Sequence, residues 1–237
     1  MARRAGTWFW RSCFLGALVL GAVVILLGSS AMASTTLHVW EMDEPDGTGT
    51  MVDTGVPTQT NGTWLNIEAG VDGFIGTGYR FDGTSRVTVG DDDSLDPLSQ
   101  KFVVTVHVKF TTMPDASVGG DFDLIRKGVG STSGGYWKVE IFPNSKHTKA
   151  MGLCQMKGAT NAVKIKGAPE SLNDGDWHTI TCTKTDTFVR LTVDGTSYTS
   201  TVSVGRIANS AVLTLGSKAS GDDWYIGDMD SVTYQIG

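Results

Sequence analysis

The stretch that decides the fold of this chain is FVVTVHVKF, which occupies residues 102–110. Phenylalanine or valine stands at every second position from Phe102 to Phe110, and Thr105, His107 and Lys109 lie between them. Because successive side chains of a β-strand point to opposite faces, this alternation predicts a strand with one buried and one half-exposed face. The β-branched residues in the stretch favour the same structure.

Further short runs alternate in the same way, and turn signals such as Gly134-Gly135 and Asp194-Gly195 separate them. The runs lie at 136–142, 163–166, 178–182, 188–193, 211–215 and 232–236. No stretch after residue 33 has the period of a useful amphipathic helix, and the 30 glycines suit many turns. We therefore predict an all-β fold, a two-sheet antiparallel sandwich that forms one domain over residues 34–237.

Residues 1–33 are predicted to be a secretory signal segment that takes no part in the fold. Three arginines precede an uncharged run from Ser12 to Ser30, and Ala31-Met32-Ala33 follows it. A basic start, an apolar stretch and a small-x-small ending are typical of signal peptides, so we predict cleavage after Ala33 and a secreted or cell-surface protein. The alternative is an uncleaved membrane anchor, although the continuously apolar part, 14–27, is short for a span.

Two cysteines remain outside the signal segment, Cys154 and Cys182. Export leads to an oxidising compartment, where an even pair of cysteines predicts a disulfide bond. The alternative is two buried free thiols. There is no C-x-x-C motif and no cluster of histidines, so a metal or redox role for the cysteines is disfavoured.

The charge balance argues against nucleic acid as a partner. The chain has 19 basic and 25 acidic residues, for a net charge of −6. A polyanion would be repelled by such a protein overall.

Several fragments, taken in order, resemble a laminin G-like domain of the concanavalin A-like lectin and glucanase superfamily. The strongest is NDGDWHTI at 173–180 with VRLTVDG at 189–195, which is similar to the Gly-x-Trp-His strand and the Val-Asp-Gly turn of that family. The other fragments are WEMDE at 40–44, MVDTG at 51–55, YRFDGT at 79–84, LTLG at 213–216 and GDMDSV at 227–232. The resemblance implies a jelly-roll sandwich. It also implies that strand 177–182 pairs with a strand near Cys154 and so places the two cysteines side by side.

Catalysis of the glucanase type is not predicted. The resemblance implies carboxylates at every second position of one strand, as in Glu-x-Asp-x-Glu, where two act as nucleophile and acid. Here Phe142 follows Glu140, and Ile125 follows Asp121 and Asp123, so the pattern is incomplete. G-x-S-x-G and H-E-x-x-H motifs are also missing, and we interpret these acids as solvated.

Calcium is the one cofactor that the resemblance implies, held between the first and last strands or at a rim loop. Calcium prefers several hard oxygen ligands, mainly carboxylates and main-chain carbonyls. The alternative for Asp82 and Asp228 is that each only stabilises a turn with its adjacent glycine. The candidate ligands by motif position are Asp43, Asp82, Asp228 and Asp230.

Two groups of residues are candidates for binding a ligand. The first contains aromatic residues near turn signals, which are predicted at exposed loop rims, with burial in the core as the alternative: Trp64, Tyr136, Trp224 and Tyr225. The second is a basic group between residues 146 and 166 that includes Lys164 and Lys166. On adjacent strands this group would form a face for acidic polysaccharide, and the alternative is an ordinary solvated surface.

The leading hypothesis is a secreted, non-catalytic recognition module that binds carbohydrate or an extracellular or cell-surface partner. The first alternative is a glucanase-type glycoside hydrolase. The second is an adhesive or structural surface protein that uses protein–protein contacts. Contact with a membrane is expected only if the signal segment stays uncleaved.

Overall fold

The computed structural model describes residues 35–237, so the predicted signal segment lies outside the described residues. Within this range the chain forms sixteen strands and one short 3-10 helix, Asp93–Leu95. The strands are β1 Thr36–Trp40, β2 Thr50–Met51, β3 Gly62–Leu65, β4 Glu68–Asp72, β5 Thr77–Asp82, β6 Arg86–Val89, β7 Phe102–Lys109, β8 Phe122–Lys127, β9 Tyr136–Pro143, β10 Ala150–Lys157, β11 Ala162–Gly167, β12 Trp177–Lys184, β13 Val189–Val193, β14 Thr196–Ser200, β15 Leu213–Leu215 and β16 Ile226–Ile236. Among residues 35–237 there is no helix of the length and apolar character needed to cross a membrane.

The strands form two antiparallel sheets, which confirms the predicted sandwich. Sheet A has the order β14-β13-β12-β7-β16-β5-β4, and sheet B has the order β11-β10-β9-β8-β15-β6-β3-β2. The long strand β16 pairs with β5 through its first half and with β1 through its second half. A register shift between Asp230 and Thr233, where Ser231 has φ 47°, separates the two halves.

The predicted alternation of β7 is confirmed residue by residue. Its even-numbered residues, from Phe102 to Val108, are fully buried, while the odd-numbered ones are only partly buried. β12 and β13 behave in the same way. The inward residues of both sheets form a single apolar cluster, so the hydrophobic face of each sheet is covered by the other.

Aromatic rings connect the two sheets at the centre of this core. Trp137 of β9 in sheet B packs against Phe102 of β7 and Tyr234 of β16 in sheet A. The ring centroids are 4.9 Å and 5.3 Å apart, respectively, within the range of favourable aromatic pairs.

Cys154 and Cys182 form the predicted disulfide, but the strand pairing expected around it is wrong. Cys154 lies on β10 in sheet B and Cys182 on β12 in sheet A, so the bond joins the two sheets across the core. Their Cα atoms are 5.6 Å apart, which is within the ordinary range for a disulfide. The sheets approach closely here because Gly152 has no side chain. A Cβ on Gly152 would lie 2.9 Å from the Val193 side chain of sheet A.

Strand β8 departs from the alternating pattern, because all six residues from Phe122 to Lys127 are buried. One face of β8 contributes to the apolar core, and the other carries Asp123 and Arg126. Charged residues are almost never fully buried unless they are paired. The charges on the outward face of β8 are therefore expected to be paired with neighbouring groups.

Candidate functional site

The outward face of sheet B brings acidic and basic side chains of β8 and β9 into register. Asp123 lies opposite Glu140, and Arg126 lies opposite Lys138. A register shift between Asp123 and Ile125 accompanies this arrangement. Because side chains alternate along β9, Trp137 and Val139 enter the core while Lys138 and Glu140 point away from it.

Two loops add further carboxylates beside these strands. The Asp123 N–H donates to the Asp223 carbonyl at 2.9 Å, and the Trp224 N–H donates to the Val118 carbonyl at 2.9 Å. Gly119 permits this contact between the loops, because a Cβ there would lie 2.4 Å from Asp223 Oδ1. Its φ of 107° is also a conformation that favours glycine. The loops thus position Asp121 and Asp223 next to Glu140.

We call Asp121, Asp123, Glu140 and Asp223 the carboxylate cluster. One carboxylate oxygen from each of Asp121, Glu140 and Asp223 lies within 4.8 Å of the others. Asp123 and Glu140 have no exposed surface, and Asp223 is also buried. The interpretation of these acids as solvated side chains is therefore wrong for Asp123 and Glu140.

Basic residues bind one oxygen of each buried carboxylate. Arg126 donates to Asp123 Oδ2, and Lys138 donates to Glu140 Oε1. The Nζ of Lys218 lies 2.5 Å from the Asp223 Oδ2. Three other carboxylate oxygens are buried without a hydrogen-bond partner, namely Asp121 Oδ1, Asp123 Oδ1 and Glu140 Oε2.

Burial and mutual repulsion disfavour ionisation of the cluster. Burial, with the nearby carboxylate of Glu140, raises the pKa of Asp121 to about 7. Burial, with the nearby carboxylate of Asp123, raises the pKa of Glu140 to about 8. Burial also raises the pKa of Asp123, against the attraction of Arg126. Carboxyl groups in such surroundings hold a proton more strongly than solvated ones do.

A groove adjoins the cluster on the same face of sheet B. Its volume is about 770 Å³, and its walls include Gly119-Gly120, Phe142, His147, Met151 and Lys166. The Phe142 ring is flanked by two ammonium groups, with the Nζ of Lys166 3.4 Å and the Nζ of Lys164 5.0 Å from its centroid. Burial, and then the charge of Lys164, lower the pKa of Lys166.

The four aromatic candidates do not form one surface. Tyr136 is buried beside Gln155, which donates to its hydroxyl at 2.5 Å. Trp64 and Trp224 are only half-buried. The Trp64 ring packs against Tyr79, and the Trp224 ring lies beneath the Arg86 guanidinium. The expectation that Tyr136 and Tyr225 are exposed at a rim is wrong. The Tyr225 ring is fully buried in the core, and its hydroxyl donates to the Asp228 carbonyl at 2.8 Å.

The four aspartates predicted as calcium ligands also lie apart from the carboxylate cluster. Each carboxylate is engaged by other groups of the protein, and Asp82 stabilises its own turn, as the alternative expects. The partners are the Thr77 N–H for Asp43, the Ser85 hydroxyl for Asp82, the Arg80 guanidinium for Asp228 and the Ile75 N–H for Asp230. Among residues 35–237, the grouping of three acidic side chains close enough to hold a cation is Asp121, Glu140 and Asp223.

His178, the second residue of β12, lies between two carboxylates. Its Nδ1 is 2.8 Å from Asp194 Oδ2 and its Nε2 is 3.0 Å from Asp174 Oδ1. Burial lowers the pKa of His178, but the hydrogen bonds to Asp194 and Asp174 outweigh it, and the pKa is raised above its usual 6.5. This geometry fits a packed, hydrogen-bonded strand residue.

The raised pKa of His178 predicts a pH dependence of stability. A histidine with a raised pKa stabilises the fold fully below about pH 6.5, and this contribution is lost as the pH rises through the folded-state pKa. Urea unfolding of the wild type should therefore show a larger loss of stability from pH 6 to pH 9 than that of His178→Asn. Asp174→Asn removes one carboxylate partner and should give an intermediate loss. Equal pH profiles for all three proteins would contradict this account.

Sequence reasoning missed the carboxylate cluster because it searched for acids along a single strand. The acids come instead from the start of β8, from β9 and from a loop near the C-terminus. The one local signal was Asp121-Phe122-Asp123 after a pair of glycines. Nothing in the sequence linked it to Asp223.

Comparisons with known proteins agree with this architecture. The Laminin_G_3 family model, described as the concanavalin A-like lectin/glucanases superfamily, matches residues 81–234. The chain belongs to this laminin G-like family. The match begins in β5 and ends in β16, so it includes all of β6 to β15. A comparison with curated proteins gives no match.

Solved structures share the laminin G-like fold at low sequence identity. The binding domain of Paraclostridial mosquitocidal protein 1 is 15% identical, with a TM-score of 0.59 over 84% of this chain and 48% of that one. Domains LG4-5 of the mouse laminin α1 chain are 16% identical, with a TM-score of 0.51 over 66% and 40%. A botulinum neurotoxin type C structure, described as interacting with two ganglioside molecules, is 12% identical, with a TM-score of 0.55 over 85% and 46%. This chain thus matches 40 to 48% of the length of each structure, and the likeness is one of fold.

Proposed function

We propose that this laminin G-like protein is a non-catalytic, extracytoplasmic recognition module that binds an acidic glycan in the groove beside β9, β10 and β11. The observation that carries the proposal is the Phe142 ring, which lines the groove with the ammonium groups of Lys164 and Lys166 beside it. The apolar ring offers a flat contact surface, and the lysines offer charge-assisted hydrogen bonds to carboxylate or sulfate groups.

The dimensions and composition of the groove support a ligand rather than a purely solvated surface. Its volume of about 770 Å³ falls within the range of sites that hold small ligands. Phe142 and Met151 provide the apolar part, while Lys166 and His147 provide polar contacts. Lys164 and Lys166 are both exposed, so their ammonium groups are accessible to a large partner.

Burial of the nearby carboxylates argues against the glucanase alternative. A glycosidase needs two carboxyl groups that flank the scissile bond and contact the sugar. Asp123 and Glu140 have no exposed surface and are each bound by a basic residue of the same face. A sugar ring has no access to either side chain in this arrangement.

The structural neighbours support a binding role. They include the binding domain of a mosquitocidal protein and a toxin structure described with gangliosides, which are glycan-bearing ligands.

A glycan array is the broad test of the proposal. Binding of acidic glycans is the expected result. An array without any bound glycan would instead favour the alternative of an adhesive protein that uses protein–protein contacts.

Reversal of the two groove lysines tests the location of the site. The double variant Lys164→Glu/Lys166→Glu should lose retention on an immobilised sulfated polysaccharide, because two attractive charges become repulsive. The double variant Lys101→Glu/Arg206→Glu makes the same change in net charge at two exposed residues outside the groove, and it should keep most of the retention. Unchanged elution of the groove variant, or an equal loss in both variants, would refute the site.

A further inference from the structure

We propose that the open edge of β14, Thr196–Ser200, pairs with the same strand of a second copy of this chain to form a symmetric dimer. The pairing is antiparallel and centred on Tyr198, and it joins the two copies of sheet A into one continuous sheet. The groove lysines take no part in it, so the dimer stands independently of the glycan proposal.

The first argument is that β14 has one unpaired side. It is the last strand in the order of sheet A, with β13 as its neighbour. Among residues 35–237, the backbone of β14 makes no hydrogen bond to a loop. Thr196, Ser197 and Thr199 are exposed. An edge strand of this kind presents a row of unpaired N–H and C=O groups, which is a template for another strand.

The second argument is that the other edges of sheet A are protected. The outer side of β1 is covered, because the Leu37 N–H donates to the Val56 carbonyl at 2.8 Å and the Val56 N–H donates to the Leu37 carbonyl at 2.7 Å. β4 has a register shift at Gly70, whose φ is 78°, and it carries the charges of Glu68 and Asp72. Covering segments, bulges and charged residues are the devices that prevent edge pairing in natural sheets.

The two edges of sheet B are protected as well. β2 has only two residues, and the N–H of the next residue, Val52, donates to Glu44 Oε1 at 2.7 Å. β11 carries Lys164 and Lys166, and lysine on an edge strand discourages pairing. The five residues of β14, in contrast, include no charge, no proline and no bulge. Of these edges, β14 is therefore the one suited to pairing.

The hairpin that precedes β14 fixes which backbone groups face its open side. Val193 pairs with Thr196 across the two-residue turn Asp194-Gly195, where φ is 48° and 79°. In such a hairpin the pair next to the turn is hydrogen-bonded, and hydrogen-bonded and non-hydrogen-bonded pairs alternate from there. Ser197 and Thr199 belong to non-hydrogen-bonded pairs, so their N–H and C=O groups point to the open side.

These two residues make the open side complementary to itself. When antiparallel strands pair about Tyr198, Ser197 of one copy lies opposite Thr199 of the other, and the symmetry repeats this pair. Each pair exchanges both of its N–H···O bonds, so the contact contains four backbone hydrogen bonds. The same patch is used on both copies, as a closed dimer requires.

The side chains of the edge are compatible with this register. Serine and threonine hydroxyls that face each other across strands stabilise a sheet, as do facing aromatic rings. The Tyr198 ring is held at the edge by its contact with Gly167 of β11, where a Cβ would lie 2.6 Å from the ring. Arg190 donates to the Thr199 hydroxyl at 3.1 Å from β13, one strand away from the edge. No like charges therefore face each other in the contact.

Sedimentation velocity of the purified chain tests the dimer. Five residues on each side form a small interface, so we expect a weak dimer with a Kd on the order of 10⁻⁵ to 10⁻⁴ M. The variant Ser197→Lys/Thr199→Lys places lysine opposite lysine in both pairs and should raise Kd by roughly tenfold or more. The chain has a net charge of −6, so two added lysines reduce the overall repulsion between copies. A loss of the dimer would thus report the local contact.

The matched variant is Ser197→Glu/Thr199→Lys, which places glutamate opposite lysine in both pairs. It should dimerise at least as well as the wild type, because opposite charges that face each other across strands are favourable. Both variants change the same two exposed residues, so both should keep the circular dichroism spectrum and the Tm of the wild type. This readout separates a lost contact from a misfolded protein.

Three results would overturn the proposal. A wild type that stays monomeric at about ten times the expected Kd would leave the edge to an extended segment of a different protein. A lysine–lysine variant that dimerises as well as the wild type would place the contact elsewhere. A glutamate–lysine variant as monomeric as the lysine–lysine variant would show that the register is wrong. Each result leaves the glycan proposal testable through the Lys164 and Lys166 variants.

Discussion

Replacement of Trp137 by alanine should lower the free energy of unfolding by about 3 to 5 kcal/mol. Trp137 is fully buried and contacts Phe102 and Tyr234 of the opposite sheet. The substitution removes the side chain that fills the space between the sheets and leaves a cavity that the flanking strands cannot fill. Urea unfolding monitored by far-ultraviolet circular dichroism measures the change.

Trp137→Phe is the matched control for this prediction. It retains an aromatic ring in the same place and removes the indole N–H, which has no hydrogen-bond partner in the core. We expect a loss much smaller than that of the alanine variant, because loss of the unpaired donor offsets part of the lost contact area. A phenylalanine variant as unstable as the alanine variant would contradict the view that packing between the sheets is the cause.

Removal of the disulfide should have the second largest effect on stability. The bond closes a loop of sequence separation 28. The loss of its constraint on the unfolded chain corresponds to about 3 to 4 kcal/mol. The double variant Cys154→Ala/Cys182→Ala should therefore melt roughly 6 to 16 °C below the wild type. Differential scanning calorimetry under non-reducing conditions measures the difference.

Reduction of the wild type is the control for this variant. Wild type that has been fully reduced should melt near the double variant, because both lack the same covalent link between the sheets. The double variant itself should not respond to reductant. A variant that melts with the oxidised wild type would show that the link contributes little to the stability of the sandwich.

The groove and the carboxylate cluster lie on one face of sheet B but respond to different substitutions. Lys164 and Lys166 flank Phe142 at the groove, whereas Asp223 and Glu140 belong to the cluster. Gly119-Gly120 lines the groove immediately before Asp121. The groove and the carboxylate cluster are therefore adjacent along the chain at this point.

Much of the fold was predictable because strand formation depends on residues that are close together in the sequence. The alternation in 102–110 predicted both the strand and its buried face, and 178–182 did the same for β12. The partners of a strand were harder to predict. The family resemblance suggested that the two cysteines lie on paired strands, whereas each lies in a different sheet. Two inward-facing residues on opposite sheets can be as close as two on neighbouring strands, and local sequence does not distinguish these cases.

The sequence by itself determined that the chain is an all-β sandwich with one disulfide. Period-two alternation and turn residues act over a few positions, and the two cysteines beyond residue 33 can pair with each other in only one way. Only the tertiary structure decided that Tyr225 is core and that Asp121, Glu140 and Asp223 meet. Those three acids are far apart along the chain. The order of strands in the sheet and the contact between two loops bring them together, and neither is encoded in any short stretch of sequence.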